Sequence, residues 1–527
     1  MTRTARLVLL AVLGAGVFLA GLELMITAVA LPSIVTDLAD WTELRRASWI
    51  INGYLLVYVV TMPLAGRLAD LWGVRRLFYA GLVAFTLGSA LAGRAQSLDE
   101  LIAARLVQAI GGGILVPVGT AAASHLFDAR LRPRALGVIG ALTFLGMAAG
   151  PFVGAAVISG IHPADGLDSL QLREGPLRDA FDAAWRFVFY VNVPIGLVAL
   201  TLAWAASAGF DSVRKPGRPD LVGAVAFSIA IALLLLGLTL LGDDTAGPQT
   251  GPLLATAVVA TIVAGWWSLR GEDPFLDLRL FRIPAFASAA LVSLLTGYGF
   301  ATAIIGGAVF VDRVLYGGPD DQRLVLGALA GATAVGALVS GFVLRRVGLR
   351  LTTVAGIAAS AGALAAMSLW TPQTAVAAAA AWAAVFGLGF GLTVTPRSTA
   401  AVEAVGRSAF GVASATVTVA RMIGMAVGLA ILTAYGSTTI DRLTAAVYAT
   451  PDSYKAFIPE ALRDRPLRDG LVVEALETWA AGEASRIMVG IFIVAAGVTA
   501  VAAVPALGMR RTRILEADEQ TGSAVAL

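Results

Sequence analysis

Three ionisable residues stand inside otherwise apolar stretches of this 527-residue chain. Glu23 lies in Leu22-Glu23-Leu24-Met25-Ile26-Thr27-Ala28-Val29-Ala30-Leu31-Pro32, Arg105 in Arg105-Leu106-Val107-Gln108-Ala109, and Arg421 in Val419-Ala420-Arg421-Met422-Ile423-Gly424. Charge at such positions is costly, and ionisable residues within spans mark functional pathways. A carboxylate that loses its hydration is pushed towards its neutral form, so it can take up and release a proton. An arginine stays charged and needs an anionic partner. Counting from the ends of their apolar runs, Glu23 sits about eight residues (~12 Å) and Arg105 about seven residues below the same membrane face. The two can therefore pair. Glu23 is the leading proton site, with a static ion pair as the bland alternative. Arg421, near the middle of its run, is either a second partner for Glu23 or a contact for a bound head group.

Other chemistries are excluded. The chain has no Cys and only two His, His125 and His162. Disulfides, thiolate metal sites and histidine-rich metal centres drop out. No Gly-x-x-x-x-Gly-Lys-Ser/Thr loop is present, so direct use of ATP is not expected. No catalytic triad or paired carboxylates point to an enzyme. No cofactor, metal or nucleic-acid partner is expected.

The surroundings of the three charges come from the composition. Charged residues make up 14% and hydrophobic ones 58%, with mean hydropathy +0.82. Soluble domains carry about 25% charged residues. Apolar runs of roughly twenty residues, the length that spans a bilayer, start near residues 5, 47, 76, 98, 134, 186, 220, 252, 284, 322, 350, 373, 407 and 487. Open sheet edges cannot face lipid, and the runs lack a barrel's alternation, so fourteen transmembrane helices are expected. The first run, about Leu7 to Leu31, is too long for a signal peptide and is read as an uncleaved helix. Basic residues cluster in every second loop: Arg67, Arg75 and Arg76; Arg130, Arg132 and Arg134; Arg214, Lys215 and Arg218; Arg270, Arg279 and Arg282; Arg345, Arg346 and Arg350; Arg397 and Arg407. Arg510, Arg511 and Arg513 follow the last run. This alternation places both termini in the cytoplasm and the chain in the cytoplasmic (inner) membrane. Two outer segments are long, Ser159–Trp185 and Ser437–Arg486. The second is expected to extend its flanking helices or to form a small cap, and offers a surface for a periplasmic partner.

The chain repeats internally. Gly66-Arg67-Leu68-Ala69-Asp70-Leu71-Trp72-Gly73-Val74-Arg75 is echoed by Gly341-Phe342-Val343-Leu344-Arg345-Arg346-Val347-Gly348-Leu349-Arg350, and Gly113…Pro117 by Gly391…Pro396. Two six-helix halves follow, residues 1–208 and 284–508, with two helices inserted in 209–283 and a tail at 509–527.

Two further motifs bear on function. Gly66, Asp70, Gly73, Arg75 and Arg76 hold fixed spacings in the second loop; the glycines permit close approach and a tight turn, and Asp70 can pair with an arginine or cap a helix N-terminus. The fifth run carries Gly146, Gly150, Pro151 and Gly154, small residues at every fourth position that let helices pack backbone to backbone, with a bend at the proline. Asn52, Tyr54 and Gln108 are candidates to line an internal cavity.

With these residues in view, the chain resembles the major facilitator superfamily, in particular its fourteen-helix drug:proton antiporter branch, over nearly its whole length. The loop motif is the superfamily's most specific signature, and the Gly-Pro ending of the fifth run resembles the motif of its exporters. The family pattern carries Gly where Ala109 and Ala155 stand, and usually Asp where Glu23 stands. Trp185-Arg186-Phe187-Val188-Phe189-Tyr190 resembles the start of the branch's sixth helix. The resemblance implies a gate at the loop motif and a proton-coupled antiporter, here a monomer, that exports hydrophobic or amphiphilic molecules such as drugs. The layout and the Ala420-Arg421-Met422 segment also resemble mycobacterial triacylglycerol and glycolipid exporters, so lipid is the rival cargo. A membrane sensor that transports nothing is the remote alternative.

Overall fold

The computed structural model describes residues 2–38, 44–47, 49–161, 175, 178, 181–206, 220–240, 247–271, 274, 278–447, 450 and 452–509. Most of the outer segment after residue 161, the linker arginines Arg214 and Arg218 with Lys215, the loop 241–246 and the tail arginines lie outside the described residues.

Among the described residues the chain forms fourteen long helices in the expected order: α1 (Arg3–Leu38), α2 (Trp49–Trp72), α3 (Val74–Arg94), α4 (Leu98–Leu126), α5 (Arg132–Gly160), α6 (Arg186–Ala206, with an irregularity at Val191), α7 (Leu221–Leu240), α8 (Gly247–Arg270), α9 (Pro284–Arg313), α10 (Pro319–Val347), α11 (Leu349–Met367), α12 (Val376–Glu403), α13 (Phe410–Val447) and α14 (Gly470–Val501). Among the described residues, thirteen helices are long and apolar enough to cross a membrane. The fourteenth, α7, is an apolar helix of 20 residues, about 30 Å at 1.5 Å per residue.

Packing follows the repeat. In the first half α1 lies on α5, and α4 on α2 and α3; in the second, α9 lies on α13, and α12 on α10 and α11. α7 and α8 pair with each other, and α7 leans on α2 and α13. The halves meet along α5 with α10 and α2 with α13. Gly73 and Gly348 occupy the same place in each half, the break between the second and third helices. Both have positive φ, 95° and 88°, a conformation that side chains with a Cβ resist. The looser echo also holds: Pro117 and Pro396 each lie inside a helix, α4 and α12.

Three arginines depart from the linear reading. Arg67, assigned to a loop, lies inside α2 and is buried. Arg397, expected in a loop, is inside α12 and buried. Arg132, also assigned to a loop, is the first residue of α5 and fully buried. The final helix begins at Gly470, well before the apolar run near 487, because Asp469 caps it: its carboxylate accepts from the Leu471 amide at 3.0 Å. With α13 running on to Val447, the long outer segment is mainly two extended helix ends. They are joined by a short cap in which Val447, Tyr454, Ile458 and Val472 form a small apolar cluster.

Candidate functional site: a buried ion pair and a closed end

Glu23 is completely buried on α1. Its Oε1 is ion-paired with Arg105 Nη1 of α4 and accepts from Thr27 Oγ1 at 2.8 Å. Its Oε2 accepts from Asn192 Nδ2 of α6 at 2.7 Å. The Arg105 guanidinium also donates to Gln108 Oε1 at 2.6 Å and to the Ile50 carbonyl at 3.3 Å, and lies 4.1 Å over the Tyr54 ring of α2. Gln108 Nε2 donates onward to Ser89 Oγ of α3 at 2.8 Å. One polar network therefore ties together α1, α2, α3, α4 and α6. Removing one partner of such a buried pair costs on the order of 3–5 kcal/mol, because it strands the other charge.

Equal depth in two helices had allowed this pairing, and the fold brings the two residues into contact. Gln108 and Tyr54 join them. Asn52 is half-buried on α2 and takes no part in the network among the described residues. Arg421 is not a partner of Glu23 in this conformation: its guanidinium lies 5.4 Å over the Phe144 ring of α5. Asn192 and Ser89 escaped the sequence reading. A lone Asn at the start of an apolar helix was the available signal for the first. Nothing distinguishes Ser89 from other small polar residues in spans.

The second constellation joins the two halves at the end of the molecule that carries the arginine-rich loops. Asp70, buried at the end of α2, accepts from the backbone amides of Gly411 at 2.7 Å and Val412 at 2.8 Å. These are free N–H groups of the first turn of α13, where a carboxylate also meets the positive end of the helix dipole. Capping, one of the two roles open to Asp70, is observed, and it bridges the halves. A Cβ on Gly66 would come within 2.5 Å of the Gly411 carbonyl oxygen, so the helices touch here because Gly66 has no side chain. Phe410 sits beside His125, with ring centroids 4.9 Å apart, and 5.1 Å beneath Arg132. Across the other seam Arg134 lies 5.1 Å over Phe342. Arg75 and Arg76 are exposed in the first turn of α3. Gly146, Gly150 and Gly154 of α5 face α1: a Cβ on each would meet Phe18, Met25 and Ile26 respectively. Pro151 lies within α5.

The family model described as Major Facilitator Superfamily matches residues 13–429, and the chain belongs to that superfamily. A triacylglyceride transporter of Mycolicibacterium hassiacum is 31% identical over 448 residues, 82% of this chain and 80% of the relative. The multidrug transporter protein MdtP of Bacillus subtilis is 26% identical over 447 residues, 84% of this chain and 78% of the relative. Among solved structures, a bacterial homologue of the human lysosomal transporter Spinster, in an inward-facing conformation, superposes with a TM-score of 0.57 at 17% identity, covering 97% of this chain and all of that one. The protein is thus a multi-pass membrane transporter of the major facilitator fold, and not an enzyme.

Proposed function

We propose that this transporter exports hydrophobic or amphiphilic small molecules in exchange for protons, by rocking of its two halves. The observation that carries the reading is the Glu23 network. A carboxylate in the apolar interior faces an arginine and two neutral donors contributed by α1, α4 and α6, so its charge is a fastening between helices. A proton arriving from the outside neutralises Glu23 and removes the attraction to Arg105. The helices it fastened then regain freedom to move. Because the arginine-rich loops face the cytoplasm by the positive-inside rule, the end closed by Asp70 is the inner one. The conformation described is the one that waits for an outside proton. Cargo then enters from the cytoplasm or the inner leaflet, and proton release inward restores the ion pair. Such a cycle runs only if proton and cargo each favour a different state. Both halves belong to one chain, so a monomer suffices. The protein resides in the cytoplasmic membrane with both termini inside, and the extended outer ends of α13 and α14 offer a surface to a periplasmic partner.

A second reading has a specific observation behind it. A cleft of about 500 Å³ opens between α1, α5 and the start of α10, lined by Val29, Phe152, Ala155, Ala156, Ser159 and Arg323. An apolar wall at a seam between the halves suits sideways passage of a lipid, and the mycobacterial relative is named for a lipid cargo. Purified protein in liposomes, offered a cationic dye or triacylglycerol, tests both. Proton influx that depends on either cargo and disappears in Glu23→Gln supports exchange, and the cargo that elicits it identifies the class. Absence of influx with every cargo overturns the proposal in favour of a sensor.

A further inference from the structure

Arg105 has its carboxylate; two other buried arginines do not. Arg397 of α12 and Arg421 of α13 both line a cavity at the seam between the halves, together with Thr120 and Thr143 of the first half and Ser398 and Thr418 of the second. Both side chains are buried. Arg397 Nη1 donates to Thr296 Oγ1 at 2.8 Å, and its guanidinium lies 4.8 Å over Phe390. Arg421 rests over Phe144, and its Nε is buried with no hydrogen-bond partner among the described residues. The two line one and the same cavity. Neither is ion-paired with a carboxylate among the described residues.

Two like charges out of water, without a counter-charge, are among the least favourable arrangements a protein interior can hold. Hydroxyls and ring faces ease the cost but carry no opposite charge. An anion supplied from outside would relieve it, and the location suits one that is carried. Arg421 lies about eleven residues, ~16 Å, into α13, and Arg397 about six residues, ~9 Å, from the end of α12. Both distances are measured from the end closed by Asp70. The cavity is thus the first chamber behind that closure. In the closed state it holds about 40 Å³, room for little more than a water molecule. A head group fits only when the halves part, and closure expels it.

We propose that Arg397 and Arg421 bind the anionic head group, a phosphate, sulfate or carboxylate, of an amphiphile that the transporter carries. This rests on the export reading and deepens it by naming the charge of the cargo. Arginine suits the role through its planar fork of donors, which matches the oxygens of such groups.

The test is equilibrium binding to the full chain in nanodiscs of dodecyl phosphate, dodecyl maltoside, dodecyltrimethylammonium and inorganic phosphate. Dodecyl phosphate is expected to bind at least tenfold more tightly than the neutral and cationic amphiphiles. Arg421→Gln and Arg397→Gln should each weaken it roughly ten- to hundredfold, the value of a lost charge-assisted hydrogen bond, and leave dodecyl maltoside unchanged. Arg421→Lys should recover part of the loss. Should a glutamine variant not fold, Thr418→Val, which removes only a wall hydroxyl, should still cost several-fold. Equal binding of the three amphiphiles, or glutamine variants that bind dodecyl phosphate like the wild type, overturns the proposal. Inorganic phosphate that competes as well as dodecyl phosphate overturns its amphiphile half. Proton influx in liposomes separates this from the export reading. Influx with a neutral amphiphile and no preference for the phosphate leaves export standing and removes the anionic cargo. Influx with none removes export, and the binding measurement then decides whether an anion site exists.

Discussion

Replacing Asp70 with asparagine should open the arginine-rich end of the molecule. The carboxylate accepts from two amides of the first turn of α13, at 2.7 and 2.8 Å. Asparagine keeps one acceptor oxygen but turns an NH2 group towards the second amide, so one hydrogen bond is lost and one buried N–H is stranded. Such a loss costs on the order of 1–3 kcal/mol, and loss of the negative charge from the helix N-terminus adds roughly 0.3–1 kcal/mol. The closed state thus loses about 1–4 kcal/mol relative to the open one. At 1.4 kcal/mol per tenfold, this is a shift of roughly ten- to several hundredfold in the equilibrium between them. The chain has no cysteine, so spin labels attach only where cysteines are introduced. Trp72 at the end of α2 and Val347 at the end of α10 are both exposed and lie on opposite halves. Labels at Trp72→Cys and Val347→Cys should report one short distance with Asp70 and a dominant longer one with asparagine, by pulsed dipolar spectroscopy in nanodiscs. A distance distribution that does not change in a folded Asp70→Asn protein would refute the reasoning.

Three more outcomes follow from the same geometry. Glu23→Gln should abolish proton influx coupled to cargo while cargo-for-cargo exchange across liposomes persists, because exchange needs no net change at the carboxylate; loss of both activities in a folded protein contradicts this. Gly66→Val should also favour the open state in the same distance measurement, since even a Cβ there would come within 2.5 Å of the Gly411 oxygen. The Leu471 amide, and to a lesser degree Arg465, hold the Asp469 carboxyl below its ordinary value of 3.8. The cap it gives to α14 is therefore fully present above pH 4 and is lost as the pH falls further, through the depressed value. Hydrogen exchange at the Leu471 amide should accelerate in that range, and Asp469→Ala should remove the pH dependence.

Much of this transporter could be read along the chain, and the reason is the solvent. A bilayer demands about twenty apolar residues per crossing and satisfies every backbone group within the helix, so the fourteen helices are local facts. The arginine alternation and the paired glycines at 73 and 348 reveal the halves by repetition. The same one-dimensional logic misplaced Arg397 and Arg132, because a basic residue near the end of an apolar run looks like a loop residue whether it faces water or a neighbouring helix. Equal depth of Glu23 and Arg105 was visible, yet depth leaves the azimuth around each helix open.

That azimuth is what tertiary packing decides. It gives Arg105 rather than Arg421 to Glu23, and adds Asn192 from a helix 169 residues away. It also turns Asp70 towards amides 341 and 342 residues further on. The amino-acid sequence by itself determined where the long apolar helices lie and that Glu23, Arg105 and Arg421 stand inside them. Only the folded arrangement determined which of those charges meet, because contact between helices depends on small-residue faces such as Gly66 against Gly411, and these faces can be assigned partners only once the helices are assembled.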